Sequence, residues 1–312
     1  MDRRVVTVFG GSGFIGRHLI QRLAGAGLIV RAGVRDPEAA NFLKTVGDPG
    51  QVVPLYADVT EPRTVEKAVA GAEWVVNLVG ILYQRGRRSF QRMHVEAAGN
   101  IAKASAAAGV ERLVQMSALG AAADAEAEYA RTKAAGEEAA KRAFSGVSVT
   151  RPSVVFGPED DFFNRFAAMA RLAPVLPIFP TRFQPVYVGD VADAIVRILE
   201  NAETGGRTYE LGGPRVMTFR EVIEVVLRET GRHPLLVNMP FSVATFEAFF
   251  LNFLPVPPLT PDQVKLLKKD NVVSPGAATL ADLGITPQAV EAIVPTYLHR
   301  FRTQVMSRRR LI

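Results

Sequence analysis

The stretch Val5-Val6-Thr7-Val8-Phe9-Gly10-Gly11-Ser12-Gly13-Phe14-Ile15-Gly16 decides the fold. Its first five residues are β-branched or aromatic and read as a short buried strand. Glycines then fall at Gly10, Gly13 and Gly16. Without Cβ atoms, the chain can turn tightly there and let another group approach its backbone. From Phe14 onward, Ile15, Leu19, Ile20 and Leu23 lie on one helical stripe. A strand, a glycine turn and a helix start, in that order, aim free N–H groups at a common point, where a phosphate would sit. Gly10, Ser12, Gly13, Phe14, Ile15 and Gly16 are the residues expected to cradle a dinucleotide.

Working outward, strands and helices alternate. The sequence predicts strands at Val5–Phe9, Ile29–Val34, Val52–Tyr56, Trp74–Leu78, Leu113–Met116 and Val147–Arg151. It predicts helices over Phe14–Ala24, Thr64–Val69, Ser89–Ala108 and Ala125–Phe144. This rhythm demands an α/β doubly wound parallel sheet covered on both faces, the Rossmann arrangement. After Arg151-Pro152 the texture changes and prolines cluster at Pro174, Pro177, Pro180 and Pro185. We therefore expect a dinucleotide-binding domain over 1–151 and a smaller, mostly helical lobe over 152–312, with some segments returning to the sheet. In that lobe Asp190–Asn201 reads as a helix, and Thr218-Phe219-Arg220-Glu221 as a capping box. Thr260-Pro261 and Thr286-Pro287 each read as an N-cap followed by proline at the first helical position.

Composition narrows the chemistry. The 312 residues are 48% hydrophobic and 22% charged, which fits a globular chain with a sizeable core. Zero cysteines exclude disulfides and thiolate metal sites. His18, His94, His233 and His299 show no metal-ligand spacing, so no metal is expected, and each reads as a surface or capping residue. The net charge is +6, with basic clusters at Arg85, Arg87, Arg88 and Arg92 and again at Arg308–Arg310. A solvated basic face is the plain reading, and attraction to an anionic membrane or acidic protein the functional one. No nucleic-acid recognition motif is present. The first strand starts too early for a signal peptide, and no run of about 20 apolar residues could span a membrane. A reducing compartment is expected.

Further residues extend the cofactor reading. Arg35 follows the second strand, where an arginine accommodates a ribose 2′-phosphate and an acid would hold the 2′-OH. NADP(H) is thus preferred, with NAD(H) as the alternative. Asp58, with Val59, follows the third strand and is placed to accept from the adenine amino group. Leu78, Val79 and Gly80 end the fourth, where glycine lets the backbone pass the cofactor. Tyr129 and Lys133 are four apart and share a helix face. A nearby ammonium should lower the phenol pKa from about 10. The lysine can also hold the nicotinamide ribose.

Together Gly10, Gly13, Gly16, Asp58, Tyr129, Lys133 and Arg151-Pro152-Ser153 resemble the extended or atypical short-chain dehydrogenase/reductase superfamily. The resemblance implies a tyrosine general acid/base, Tyr129, assisted by Lys133 and a hydroxyl near the end of the fifth strand. Ser117 is the local candidate, although the usual hydroxyl aligns nearer Ala118. Pro152 belongs to the implied cofactor site. A narrower resemblance rests on Ser117-Ala118-Leu119-Gly120-Ala121, on Arg151 through Asp160, on Phe163-Asn164-Arg165-Phe166 and on Gln184 through Ala194. These segments are similar to the NAD(P)H-binding accessory subunits of respiratory complex I, over roughly residues 4–300.

That likeness implies a tightly held NADPH, complex I subunits as partners and a peripheral position near the quinone-entry region. The location would be the cytoplasmic face of the inner membrane, or the matrix side in an organelle. Phe246, Phe249, Phe250 and Phe253 share a helix face, either core or a docking surface. The alternative is an NADP-dependent oxidoreductase acting on a quinone- or isoprenoid-like substrate or a nucleotide sugar. An apolar cleft lined by Phe162, Phe163, Phe166, Met169 and Phe179 favours the apolar substrates. A redox-sensing regulator without turnover is a third reading.

Overall fold

Val6, Val8 and Phe9 are fully buried, and so is Thr7 between them. A strand shut off from water on both faces belongs in a parallel sheet under helices. Each such side chain contributes about 1.5–3 kcal/mol through burial. The computed structural model describes residues 4–255 and 257–302. Its first part runs β1 (Val5–Phe9), α1 (Phe14–Gly25), β2 (Ile29–Val34), β3 (Val52–Tyr56), α2 (Pro62–Val69) and β4 (Trp74–Asn77). Next come α3 (Ala97–Ala107), β5 (Arg112–Met116), α4 (Glu128–Ala143) and β6 (Ser148–Pro152). Then follow β7 (Val155–Phe156), α5 (Phe162–Leu172), β8 (Val175–Ile178), β9 (Arg182–Phe183) and β10 (Val186–Tyr187). The rest runs α6 (Val188–Glu200), β11 (Thr208–Leu211), β12 (Met217–Thr218), α7 (Phe219–Thr230), β13 (Leu235–Asn238), α8 (Phe241–Leu251), α9 (Pro261–Leu267) and α10 (Val290–Leu298).

Seven strands form one sheet in the order β11-β6-β5-β4-β1-β2-β3, and every pair is parallel. The order reverses between β1 and β4, which opens a crevice at their carboxyl ends. The α/β doubly wound sheet is the one the sequence predicts. The division into units is interleaved rather than a single cut. The sheet unit runs to Pro152 and takes in Gly189–Leu211 and Pro275–Ile285. The reason is strand β11, which must sit beside β6 to complete the sheet.

Helix Ser89–Ala108 is not uniform. Gln91–Glu96 is a π-helical turn, and only Ala97–Ala107 is α-helical. Such turns carry one extra residue and often mark functional sites. Helix α4 presses against this turn closely, since a Cβ on Gly136 would lie 2.1 Å from the His94 carbonyl oxygen.

The second unit comprises Ser153–Val188, Gly212–Ser274 and the residues from Thr286. Its strands pair as three two-stranded sheets, β7 with β10, β9 with β12 and β8 with β13. Thr218 caps α7 and Thr260 caps α9, each through a full capping box. Thr286 does not cap a helix, contrary to expectation. Helix α10 starts at Val290 behind Ala289, so Thr286 lies three residues too early to reach its first-turn N–H groups.

The phenyl rings expected to line an apolar cleft are core instead. Phe163 is fully buried, Phe179 nearly so, and Phe162, Phe166 and Met169 pack against the same buried clusters. Edge contacts among Phe162, Phe166, Phe179 and Phe219, and tilted contacts of Phe183 with Phe162 and Phe219, satisfy these rings with one another. The stripe on α8 goes the other way, and its last ring, Phe253, lies past the helix end at Leu251 rather than on the helix. Ala244 and Ala248 are buried, while Phe246, Phe249, Phe250 and Phe253 are 57–76% exposed. Arg308–Arg310 lie outside the described residues.

Candidate functional site

The cradle forms where β1 hands over to α1. Gly10 has φ +77°, which suits glycine, and donates its N–H to Gly33 O at 3.2 Å. Gly13 donates to Gly10 O at 3.0 Å. A Cβ on Gly16 would lie 2.5 Å from the carbonyl oxygens of both Gly10 and Gly11, so helix and turn can touch only through glycine. Gly13 is exposed and occupies the N-cap of α1 without a side-chain cap, and the first turn holds no acid. The helix therefore keeps its N–H groups and positive dipole end for an external anion. Ser12, Phe14 and Ile15 are half-buried around it, and Ser12 O accepts from Arg17 Nη2 at 3.3 Å. A nucleotide pyrophosphate fits this donor set.

The next edge lies at the ends of β2 and β3. Arg35 follows β2 and is exposed. Asp58 follows β3, and its Oδ1 accepts from the Thr60 N–H at 2.9 Å and hydroxyl at 2.7 Å. Burial alone would raise the Asp58 pKa; the Thr60 bonds, with Arg35 and Arg92 nearby, bring it below the usual carboxylate value. Val59 is buried, and its carbonyl accepts from Asn100 Nδ2 at 3.1 Å.

Across the crevice, Leu78 donates its N–H to Phe9 O at 3.0 Å, which sets its backbone against Gly10. Val79 donates to Asn77 Oδ1 at 3.0 Å, and Asn77 Nδ2 donates to Gln115 Oε1 at 2.8 Å. A Cβ on Gly80 would sit 3.0 Å from Lys133 Nζ. The glycine there makes room for the lysine. Lys133 is buried on α4, and its Nζ donates to Met116 O at 3.4 Å. Burial lowers its pKa to about 8, with Glu137 opposing.

Tyr129 is one turn earlier, its ring centre 5.9 Å from that Nζ. Its phenol does not follow the sequence expectation: burial pushes its pKa up to about 12. Desolvation of a phenolate outweighs an ammonium at that range. Ser117 is buried just after β5, and its hydroxyl has no hydrogen-bond partner among the described residues. The structure gives no bond joining it to Tyr129. Pro152 is buried, and its carbonyl accepts from Leu119 N at 3.0 Å.

Two groups escape sequence reasoning. His94 is buried, not a surface or capping residue. Its Nε2 accepts from the Ile81 N–H at 3.2 Å, which assigns the other proton to Nδ1, 3.0 Å from Thr132 Oγ1. Burial, with Lys133 nearby, lowers its pKa to about 3, so the ring is neutral. Phe90 stacks on it and Tyr129 meets its edge. The only signal was a Phe90/His94 spacing that matches any helix face. Gln115 is the other, legible only once β4 and β5 are known to pair.

These features define a dinucleotide-binding protein with the tyrosine–lysine helix of the short-chain dehydrogenase/reductase type. The chain belongs to the NAD dependent epimerase/dehydratase family, whose model matches residues 6–212. It is 36% identical to NADH dehydrogenase (ubiquinone) 1 alpha subcomplex subunit 9, mitochondrial, of Arabidopsis thaliana, aligned over 96% of this chain and 78% of that one. It is 32% identical to the protein of the same name in Dictyostelium discoideum, over 92% and 82%. Among solved structures it is similar to the Thermus thermophilus UDP-glucose 4-epimerase complex with NAD, with a TM-score of 0.71, 22% identity and coverage of 96% and 99%. That last likeness concerns the fold. Membership of the family supports a nicotinamide cofactor. Among the described residues no helix is long and apolar enough to cross a membrane, and no cluster of His, Asp and Glu could hold a metal.

Proposed function

We propose that this chain holds NADP(H) as a non-catalytic accessory subunit of a respiratory complex I assembly. The observation that carries the reading is the 36% identity, over 96% of the chain, to a protein named as a subunit of NADH dehydrogenase (ubiquinone). The site supports it. Gly10, Gly13 and Gly16 would hold the pyrophosphate, Arg35 the 2′-phosphate, and Lys133 the nicotinamide ribose. When bound, the nicotinamide would be able to supply a hydride. The protein side of a proton transfer is less complete. Ala118 stands where a hydroxyl is usual, Ser117 is buried without a partner, and the Tyr129 phenol is held protonated. The exposed phenyl face of α8 supports a peripheral position against other subunits or the membrane surface. That surface would be cytoplasmic in a bacterium and matrix-facing in an organelle.

The test is purification from the native membrane in mild detergent. Co-migration with NADH:quinone oxidoreductase activity, and release of about one NADPH per chain on heating, is the expected result. A free protein with exchangeable cofactor would overturn it. It would favour the second reading, an NADP-dependent oxidoreductase, which the Tyr129–Lys133 pair keeps open. In that case Tyr129 donates the proton, Lys133 holds the ribose and Ser117 positions the substrate oxygen.

A further inference from the structure

Three arginines gather at the edge of the sheet where only Arg35 was expected to act. Residues Arg85-Gly86-Arg87-Arg88 form a tight hairpin. Arg85 donates its N–H to Arg88 O at 2.9 Å, Arg88 returns the bond to Arg85 O at 3.0 Å, and Gly86 takes the positive φ. Arg92, on the π-helical turn, braces the hairpin by donating from Nη1 to Arg87 O at 3.2 Å. The end of β3 is braced in turn, because Asn100 of α3 holds the Val59 carbonyl. The hairpin is thus tied to the helical segment whose later turn holds the residue after the end of β3.

Its Arg88 side chain reaches the neighbourhood of Arg35, near enough for the two like charges to repel. Among the described residues neither guanidinium makes a hydrogen bond or an ion pair within 4.0 Å. Asp58 attracts Arg35 and is itself attracted by Arg92. Three guanidiniums against one carboxylate leave an excess of about two positive charges. Like charges held together, with the N–H groups of Arg35 and Arg88 unspent, call for an anion. A phosphate monoester carries about −1.5 to −2 near neutral pH and accepts several hydrogen bonds, so it matches that excess.

We infer that Arg88, presented by the Arg85–Arg88 hairpin, is a second guanidinium for the cofactor's 2′-phosphate and closes on it together with Arg35. The assignment rests on the NADP(H) reading above. It makes the choice of cofactor depend on a loop between β4 and the π-helical turn, as well as on the residue after β2.

The probes are adenosine 2′,5′-bisphosphate, 5′-ADP and inorganic phosphate, titrated calorimetrically into the full chain at fixed salt. The wild type should bind the 2′,5′-bisphosphate far more tightly than 5′-ADP. Arg88→Ala should weaken the bisphosphate about tenfold, the usual loss for one charge-assisted contact, and leave 5′-ADP within about twofold. Arg35→Ala should do the same, and Arg87→Ala nothing. If the wild type fails to distinguish the two nucleotides, the NADP(H) reading falls and this inference with it. If it does distinguish them, and Arg35→Ala but not Arg88→Ala erases the difference, the inference alone is overturned. Equal loss of both nucleotides in Arg88→Ala would show that Arg88 supports the fold, which also overturns it. Competition by inorganic phosphate at concentrations comparable to the bisphosphate would make the site one for free phosphate rather than for a nucleotide.

Discussion

Ile81 donates its N–H to Nε2 of His94 at 3.2 Å, and so ties the loop after β4 to the π-helical turn. The bond requires a neutral imidazole. Burial and the Lys133 charge hold the His94 pKa near 3, against an ordinary value of 6.5. Between those values the unfolded chain binds a proton that the folded chain refuses. Stability is then complete above about pH 6.5 and falls as pH drops through that window, by up to about 1.4 kcal/mol per unit. Thermal melts from pH 7.5 to 5 should therefore show a falling Tm. His94→Gln should melt lower at pH 7.5 but depend less on pH. Parallel curves for the two proteins would contradict this.

Gly13 and Gly16 serve different ends, and substitution should separate them. Gly16 packs on the carbonyls of Gly10 and Gly11, so Gly16→Ala overpacks the turn and costs about 1–3 kcal/mol of stability. Gly13 is exposed at the uncapped start of α1, where a Cβ would meet only Gly10 O, at 3.2 Å. Gly13→Val should leave the melt nearly unchanged and abolish NADPH binding, as read by quenching of intrinsic fluorescence. Retained binding would remove the cradle from Gly13.

Lys133 and Tyr129 give a pH signature of their own. The ammonium, with its pKa near 8, is largely charged at pH 7 and discharges above pH 8, while the phenol near 12 remains protonated throughout. NADPH affinity should weaken as pH rises through about 8, and Lys133→Met should lose that dependence. Tyr129→Phe should keep wild-type affinity within about twofold at every pH. A large loss of affinity in Tyr129→Phe would instead give the phenol a binding role.

The backbone geometry of this candidate site is legible in the sequence, because that half is written in glycines. Gly10, Gly13 and Gly16 announce the turn and its close packing through spacing alone, and the position of Arg35 follows from its place after β2. The side-chain half depends on distances. Whether Lys133 depresses the Tyr129 pKa turns on a gap of 5.9 Å and on burial, neither of which spacing encodes. Phe162, Phe163 and Phe166 looked like cleft lining because an apolar helix face does not declare its partner. Thr286-Pro287 matches a helix start locally, yet α10 begins at Val290. The same limit left the α8 stripe undecided between core and surface.

Glu137 and Arg151 form a pair whose cost can be measured directly. Arg151 Nε donates to Oε1 at 2.9 Å and Nη2 to Oε2 at 2.7 Å, with Glu137 only 2% exposed. Glu210 adds a second carboxylate at 3.6 Å from Arg151 Nη1. Removing one partner leaves a buried charge uncompensated, typically at about 3–5 kcal/mol. Arg151 is partly exposed and Glu210 remains to share its charge, so Glu137→Gln should sit at or below the low end, about 2–3 kcal/mol. A shift in urea midpoint at constant slope is the readout, and a loss under about 0.5 kcal/mol would make the pair incidental.

The α8 rings make the opposite prediction. Phe246, Phe249, Phe250 and Phe253 touch one another edge-on while standing 57–76% in solvent, and the helix is anchored by Ala244 and Ala248 instead. Replacing an exposed ring should change stability by no more than about 0.5 kcal/mol, whereas filling the small buried positions should cost more. Phe249→Ser with Phe253→Ser should therefore melt like the wild type, and Ala248→Leu well below it. If these rings meet a partner or a lipid surface in the native membrane, the double serine variant will also leave the membrane fraction at moderate salt while still binding NADPH. A melt lowered by many degrees would return the stripe to the core.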